Sequence, residues 1–332
     1  MSSDSSQAQA TAEHENISAT QARKVASQRW DAIDVARGLA IAAMIVYHFS
    51  WDLSFYKLIE TNILHVPAWR WFARGIAGSF LLLAGVGLAL AHAQGFRKLP
   101  FLKRVLKVGG AALAVSLVTF FAFPQSYIFF GILHCIAVSS LLALPFLRLH
   151  PALTLIAAAL CLAAPWLFTS PALDAPYLDW LGLGANDPVT NDYVPIFPWF
   201  GAVLIGVATG KTLVSRQATM ALARWRAGDA VTRTLIWAGR KSLLIYLIHQ
   251  IVLLGLLYGV SQMTGPSPVA ACQEICLQQN GNPATCPSVC SCITEALPQR
   301  DLWQRLLRDQ ATPEDDKRIS ATAQQCMRRP PL

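Results

Sequence analysis

From about residue 30 onward, apolar stretches alternate with short polar breaks, and most stretches are long enough to cross a bilayer core of about 30 Å as a helix. Seven stand out, at 33–53, 71–93, 106–123, 128–147, 152–169, 195–213 and 242–262. The breaks carry the orientation. Lys and Arg gather before the first stretch (Arg23, Lys24, Arg29), in 97–107, at Arg148 and through 211–241, while the intervening breaks hold almost none. The 170–193 break has Asp174, Asp179, Asp187 and Asp192 with no Lys or Arg. Loops rich in Lys and Arg stay cytoplasmic, so the N-terminus is expected inside and, after seven crossings, the C-terminus outside. The expected fold class is all-α, a polytopic transmembrane helical bundle of about seven spans.

Composition narrows this little further. The chain is 54% hydrophobic and 14% charged, against about 25% charge in a soluble domain. Its net charge of +8 sits in the short loops, where it orients the chain among membrane lipids and gives no reason to expect nucleic acid. Residues 1–28 are polar and rich in Ser, Ala and Gln, without the apolar core of a signal peptide. They read as a disordered cytoplasmic leader, followed by a membrane domain over 29–262 and a cysteine-rich tail over 263–332. The expected location is a membrane crossed several times, with the tail on its outer side. Nothing in the pattern speaks to oligomeric state.

The first span, RWDAIDVARGLAIAAMIVYHFSWD over 29–52, is the unusual one. At 100° per residue, His48 lies roughly 20° from Arg37, and Asp34 and Asp52 both roughly 60° from it, so the four share one stripe. Arg37 and His48 are about 16 Å apart along the axis. Ionisable groups at membrane depth are costly and mark a pathway or a reactive site. His48, with Asp52 one turn later, is expected to act as a base oriented by a carboxylate. Arg37 is suited to an anionic, phosphate-bearing donor; the plainer reading of Asp34–Arg37 is a structural ion pair.

Other spans add candidates. Gly75, Gly78, Ser79, Gly85 and Ala89 in the second are expected to pack closely on the first. Arg74, near Trp69 and Trp71, is either a site residue or an interfacial anchor. His134 is expected about 10 Å inside the outer edge, at the level of His48, and His249 about 10 Å from the cytoplasmic edge. Pro195 and Pro198 are expected to interrupt the first turn of the sixth span. The stretch ATMALARWRAG (218–228) reads as an interfacial helix.

Six of the eight cysteines follow the last span: Cys272, Cys276, Cys286, Cys290, Cys292 and Cys326. Cys-x3-Cys, nine residues, then Cys-x3-Cys places each pair on one face of a short helix, and an antiparallel hairpin then pairs Cys272 with Cys290 and Cys276 with Cys286. Cys292 and Cys326 remain for each other. Six cysteines allow 15 connectivities, so this is a choice by geometry. Metal binding is the rival, but the tail has no His and no common zinc spacing; no metal is expected. Disulfides need an oxidising compartment, in keeping with a tail outside.

The blocks IDVARGLAIAAMIVYHFSWDL, ARGIAGSFLLLAGVGLAL, GILHCIAVSSLL, PIFPWFGAVLIG and GRKSLLIYLIHQ, in that order over about 29–262, resemble the bacterial branch of the heparan-α-glucosaminide N-acetyltransferase catalytic-domain family. Arg37-x10-His48 also resembles the first-helix signature of integral-membrane acyltransferases at large. The resemblance implies an enzyme that takes an acetyl group from cytoplasmic acetyl-CoA as co-substrate. The acceptor would be a periplasmic glycan, an amino sugar or another amine or hydroxyl. It implies His48 as catalytic with Asp52, and it nominates His65 as a second candidate, through His65-Val66-Pro67-Ala68-Trp69. Asp34, Arg37, Arg74, His134, Trp199 and His249 would line the substrate or cofactor site. Two other readings stand beside it: a proton-coupled transporter or flippase of a small envelope precursor, and a scaffold presenting the cysteine hairpin.

Overall fold

The computed structural model describes residues 30–215, 225, 228–278 and 285–327. Helices are the only regular elements among them. They are α1 Asp31–Phe55, α2 Pro67–Ala91, α3 Lys98–Ala122, α4 Ile132–Leu142, α5 Pro151–Phe168, α6 Ile196–Ser215, α7 Ala230–Arg240 and α8 Ser242–Thr264. The tail adds α9 Pro268–Gln278, α10 Cys286–Ala296, α11 Arg300–Leu307 and α12 Pro313–Met327. Six of these, α1, α2, α3, α5, α6 and α8, are long and apolar enough to span a bilayer. The protein is a multi-pass helical membrane protein. The chain divides into two compact units, Met1–Ala42 with Gly75–Ile245 and Ala43–Arg74 with Tyr246–Leu332. The interfacial helix expected over 218–228 falls largely outside the described residues.

The fourth expected span differs most. Only 11 of its residues form an α-helix, α4. Upstream, the backbone of 126–131 is bonded to a distant segment: Asn191 N donates to Ser126 O (2.9 Å) and Val194 N to Phe130 O (3.2 Å). These carbonyls are therefore spoken for before a helix can begin. Downstream, Pro145 has no N–H to give Leu141 O, and the chain tightens into a 3₁₀ turn over Pro145–Leu147. A short apolar run such as FFGIL does not by its pattern distinguish extended from helical backbone.

In the first unit, small residues set the helix spacing, but with a different partner from the one expected. Gly85 lies against the Val203 carbonyl, and Gly206 lies against the Leu82 carbonyl, so a Cβ at either would overlap facing backbone. The small-residue face of α2 thus packs on α6, not on α1. The same reciprocity joins α1 to α7, with Gly38 against the Leu235 carbonyl and Gly239 against that of Asp34. As expected, α6 is kinked near its start, where Phe197 leaves helical geometry before Pro198.

In the second unit, the contacts His48–His249, Asp52–Gln250 and Tyr56–Leu254 advance together in sequence, so the later part of α1 and α8 run parallel. The tail is stapled by Cys272–Cys290, Cys276–Cys286 and Cys292–Cys326, the expected pairs. Trp303 and Leu302 fill its core, and Trp303 Nε1 donates to Leu297 O at 2.8 Å. Arg305 binds Asp301 and Asp315, and its hydrogen bonds hold the Asp315 carboxyl down to about 2.

Candidate active site on the first helix

Two polar clusters use α1, one in each unit. The first gathers at its start. Asp34 is 1% exposed. Its Oδ1 accepts from Arg37 Nη1 (3.2 Å) and its Oδ2 from Arg240 Nε (3.1 Å). Arg240 Nη2 also donates to Asp31 at 3.0 Å. A carboxylate this buried needs such partners, because removing it from water unpaired costs several kcal/mol. The plain ion-pair reading of Asp34–Arg37 is therefore what the geometry displays. Beyond it, Arg37 extends over Gly87, and Arg104 Nη1 approaches the same bare backbone while its Nη2 donates to Ala84 O (3.3 Å). Two like charges converging where a side chain is missing form a cradle suited to an anion.

The second cluster lies further along. The ring of His48 sits edge-on to that of His249, with centroids 4.9 Å apart. The expected separation of these two histidines by depth is thus corrected. His48 is 17 residues into α1 and His249 seven into α8, and helical rise measured from predicted ends ignores how the two helices are staggered. His249 Nδ1 lies 2.7 Å from Tyr246 O. A carbonyl only accepts, so Nδ1 carries the proton and Nε2 holds the basic lone pair of the neutral ring. Asp52 is fully buried, and its Oδ1 accepts from Gln250 Nε2 at 2.7 Å. The hydrogen bond Asp52 makes is to Gln250, not to His48 as expected. Asp52 Oδ2 and Gln250 Oε1 are buried with no hydrogen-bond partner among the described residues. Two bare acceptors beside an imidazole pair are complementary to the N–H or O–H donors of a substrate.

The remaining candidates whose side chains are described have partners of their own. His134 is the third residue of α4; its Nδ1 accepts from Gly131 N (3.2 Å) and its Nε2 meets Ser116 Oγ (3.2 Å). Both ring nitrogens are engaged in fixing the start of the helix. Trp199 comes within ordinary van der Waals distance of the Gly78 position on α2. Arg74 is exposed, with its guanidinium 5.1 Å from the ring centre of Trp71. His65 closes the 3₁₀ turn Ile63–His65, and its side chain lies outside the described residues. Sequence reasoning missed Gln250, Arg104 and Arg240. Gln250 and Arg240 stand in the block GRKSLLIYLIHQ, and Arg104 was absorbed into the orientation signal. Among the described residues, no three His, Cys, Asp or Glu side chains group as a metal site.

A multi-pass helical protein with two buried carboxylates, a half-buried arginine and a half-buried imidazole along one span is a membrane protein built around a reactive or conducting seam. The family model described as "Heparan-alpha-glucosaminide N-acetyltransferase, catalytic" matches residues 29–251, about two thirds of the chain, and the protein belongs to that family. Membership places it among membrane acetyltransferases, whose general donor is acetyl-CoA. No curated protein and no solved structure matches it. The match takes in both clusters and ends one residue past Gln250, leaving the stapled tail outside.

Proposed function

We propose that the protein moves an acetyl group from cytoplasmic acetyl-CoA to an amino sugar or other amine or hydroxyl acceptor on the far side of a bacterial inner membrane. The observation that carries this reading is the pair of unpartnered buried acceptors, Asp52 Oδ2 and Gln250 Oε1, beside His48 and His249. They orient the acceptor through its N–H or O–H groups. His48 takes the proton as the nucleophile attacks the thioester carbonyl. The C–S bond breaks, and the departing thiolate recovers that proton from the imidazolium. His249 supplies a second basic nitrogen in the same cluster. Within the first unit, Arg37, held by Asp34, and Arg104 are suited to binding phosphate groups.

Topology supports opposite sides for leader and tail. Parallel packing of α1 and α8 requires an odd number of crossings between them. The long helices α2, α3, α5 and α6 supply four, and the apolar segment around α4 makes five. With the Lys/Arg-rich loops inside, the disulfide-stapled tail then lies outside, where disulfides persist.

The test is transfer of label from acetyl-CoA to glucosamine by purified protein. His48→Ala should lower kcat by about 10²–10⁴-fold while acetyl-CoA still protects the protein from thermal unfolding. If His48→Ala and His65→Ala each leave transfer intact, the mechanism is wrong.

A further inference from the structure

Outside the two clusters, a cleft of about 880 Å³ opens in the second unit. One wall is the end of α1 and the connection that follows, with Ser54, Lys57, Glu60 and Asn62; the other is the tail, with Gln273 and Leu277. Its floor is firmly set. Lys57 adopts a left-handed backbone (φ 56°), uncommon for a residue with a side chain. It is held there by Ser267 N donating to Lys57 O (2.7 Å) and by its own Nζ on Glu274 (2.7 Å). The Cys276–Cys286 disulfide fixes the tail wall, since Cys286 also lines the cleft.

The polar groups of the walls are amides, hydroxyls, carboxylates and the Lys57 ammonium bound to Glu274, set among apolar Ile59, Val66, Ala270 and Leu277. Glu60 is exposed at the rim, with no ion pair among the described residues. Such a lining suits a ligand with many hydroxyls and a protonated amine. Ser54 and Lys57 follow Asp52 by only two and five residues, so the cleft begins where the histidine cluster ends. Its volume is near the top of the range for small-molecule pockets, about 300–1,000 Å³, and exceeds what one sugar ring needs.

We infer that the tail and the α1–α2 connection form a subsite for the non-reacting units of an oligomeric amino-sugar acceptor, with an ammonium group at Glu60. This rests on the acetyl-transfer reading above and adds to it a wall that lies outside the matched family region.

The experiment compares glucosamine with its β-1,4-linked trimer as acceptors for the full-length protein, and separately measures trimer binding in the absence of acetyl-CoA. The trimer should have a kcat/KM about tenfold above the monomer, the advantage residing in KM. Leu277→Trp, which fills the cleft, and the conservative rim variant Glu60→Gln should each erase most of that advantage and weaken trimer binding about tenfold. Equal kcat/KM for monomer and trimer in the unaltered protein, or an advantage untouched by both variants, overturns the subsite. If neither acceptor is acetylated, the transfer reading fails and the binding measurement decides alone. Trimer binding sensitive to both variants retains the cleft as a glycan site; insensitive or absent binding removes it.

Discussion

The two clusters on α1 are made of similar residue types and are resolved in opposite ways. At the start of the helix, the buried carboxylate of Asp34 takes a guanidinium on each oxygen. Further along, the equally buried carboxylate of Asp52 is met on one oxygen by a neutral amide, and its other oxygen is bare. The first arrangement holds helices together and presents charge. The second leaves hydrogen-bonding capacity for something that is not part of the chain. Burial alone therefore does not mark a reactive carboxylate; incomplete satisfaction does.

Substitutions should separate the clusters. Asp34→Ala leaves Arg37 and Arg240 without their shared carboxylate; both guanidiniums are partly solvated and Arg240 keeps Asp31, so the loss should be about 1.5–3 kcal/mol, read as a loss of folded protein in thermal unfolding. Asp52→Asn keeps the shape and places an amide beside an amide, so stability should change by less than about 1 kcal/mol, while kcat falls at least about tenfold. Equal stability losses in the two variants would abolish the contrast. Gly206→Val, away from both clusters, forces α6 off α2 and should cost about 1–3 kcal/mol, with kcat of the protein that remains folded little altered.

A pH scan gives the smallest effect. Asp315 has its carboxyl lowered from 3.8 to about 2 by Arg305. A group lowered on folding stabilises the fold above its unfolded value, and that contribution fades as pH falls from about 4 through 2. Fluorescence of the buried Trp303 should show tail loosening over that window, and Asp315→Asn should flatten the response.

What was legible in the sequence followed local geometry. Cysteines four apart on short helices left few sensible pairings, and all three formed. The polar stripe of α1 follows from helical pitch. What was not legible was the choice of partner. The glycines of α2 announce a close approach without naming α6. Asp52 is one turn from His48, yet its hydrogen bond comes from Gln250 on another helix. Arg104 looked like one more cytoplasmic charge because nothing local distinguishes a snorkelling arginine from one that turns inward over Gly87. The fourth span misled because the bonds from Asn191 and Val194 that claim its first residues arise some 60 residues later.

The brevity of α4 has a further consequence. Eleven residues of helix are about 16 Å long, roughly half the hydrocarbon depth. On the seven-crossing topology proposed above, the rest of that crossing falls to backbone whose hydrogen bonds come from the 190–194 segment, which is tolerated at such depth only under cover of protein. A host bilayer that is too thick would draw that splice into hydrocarbon. Acyl-chain length therefore becomes a variable to control in any reconstitution, and turnover should decline as the lipids lengthen.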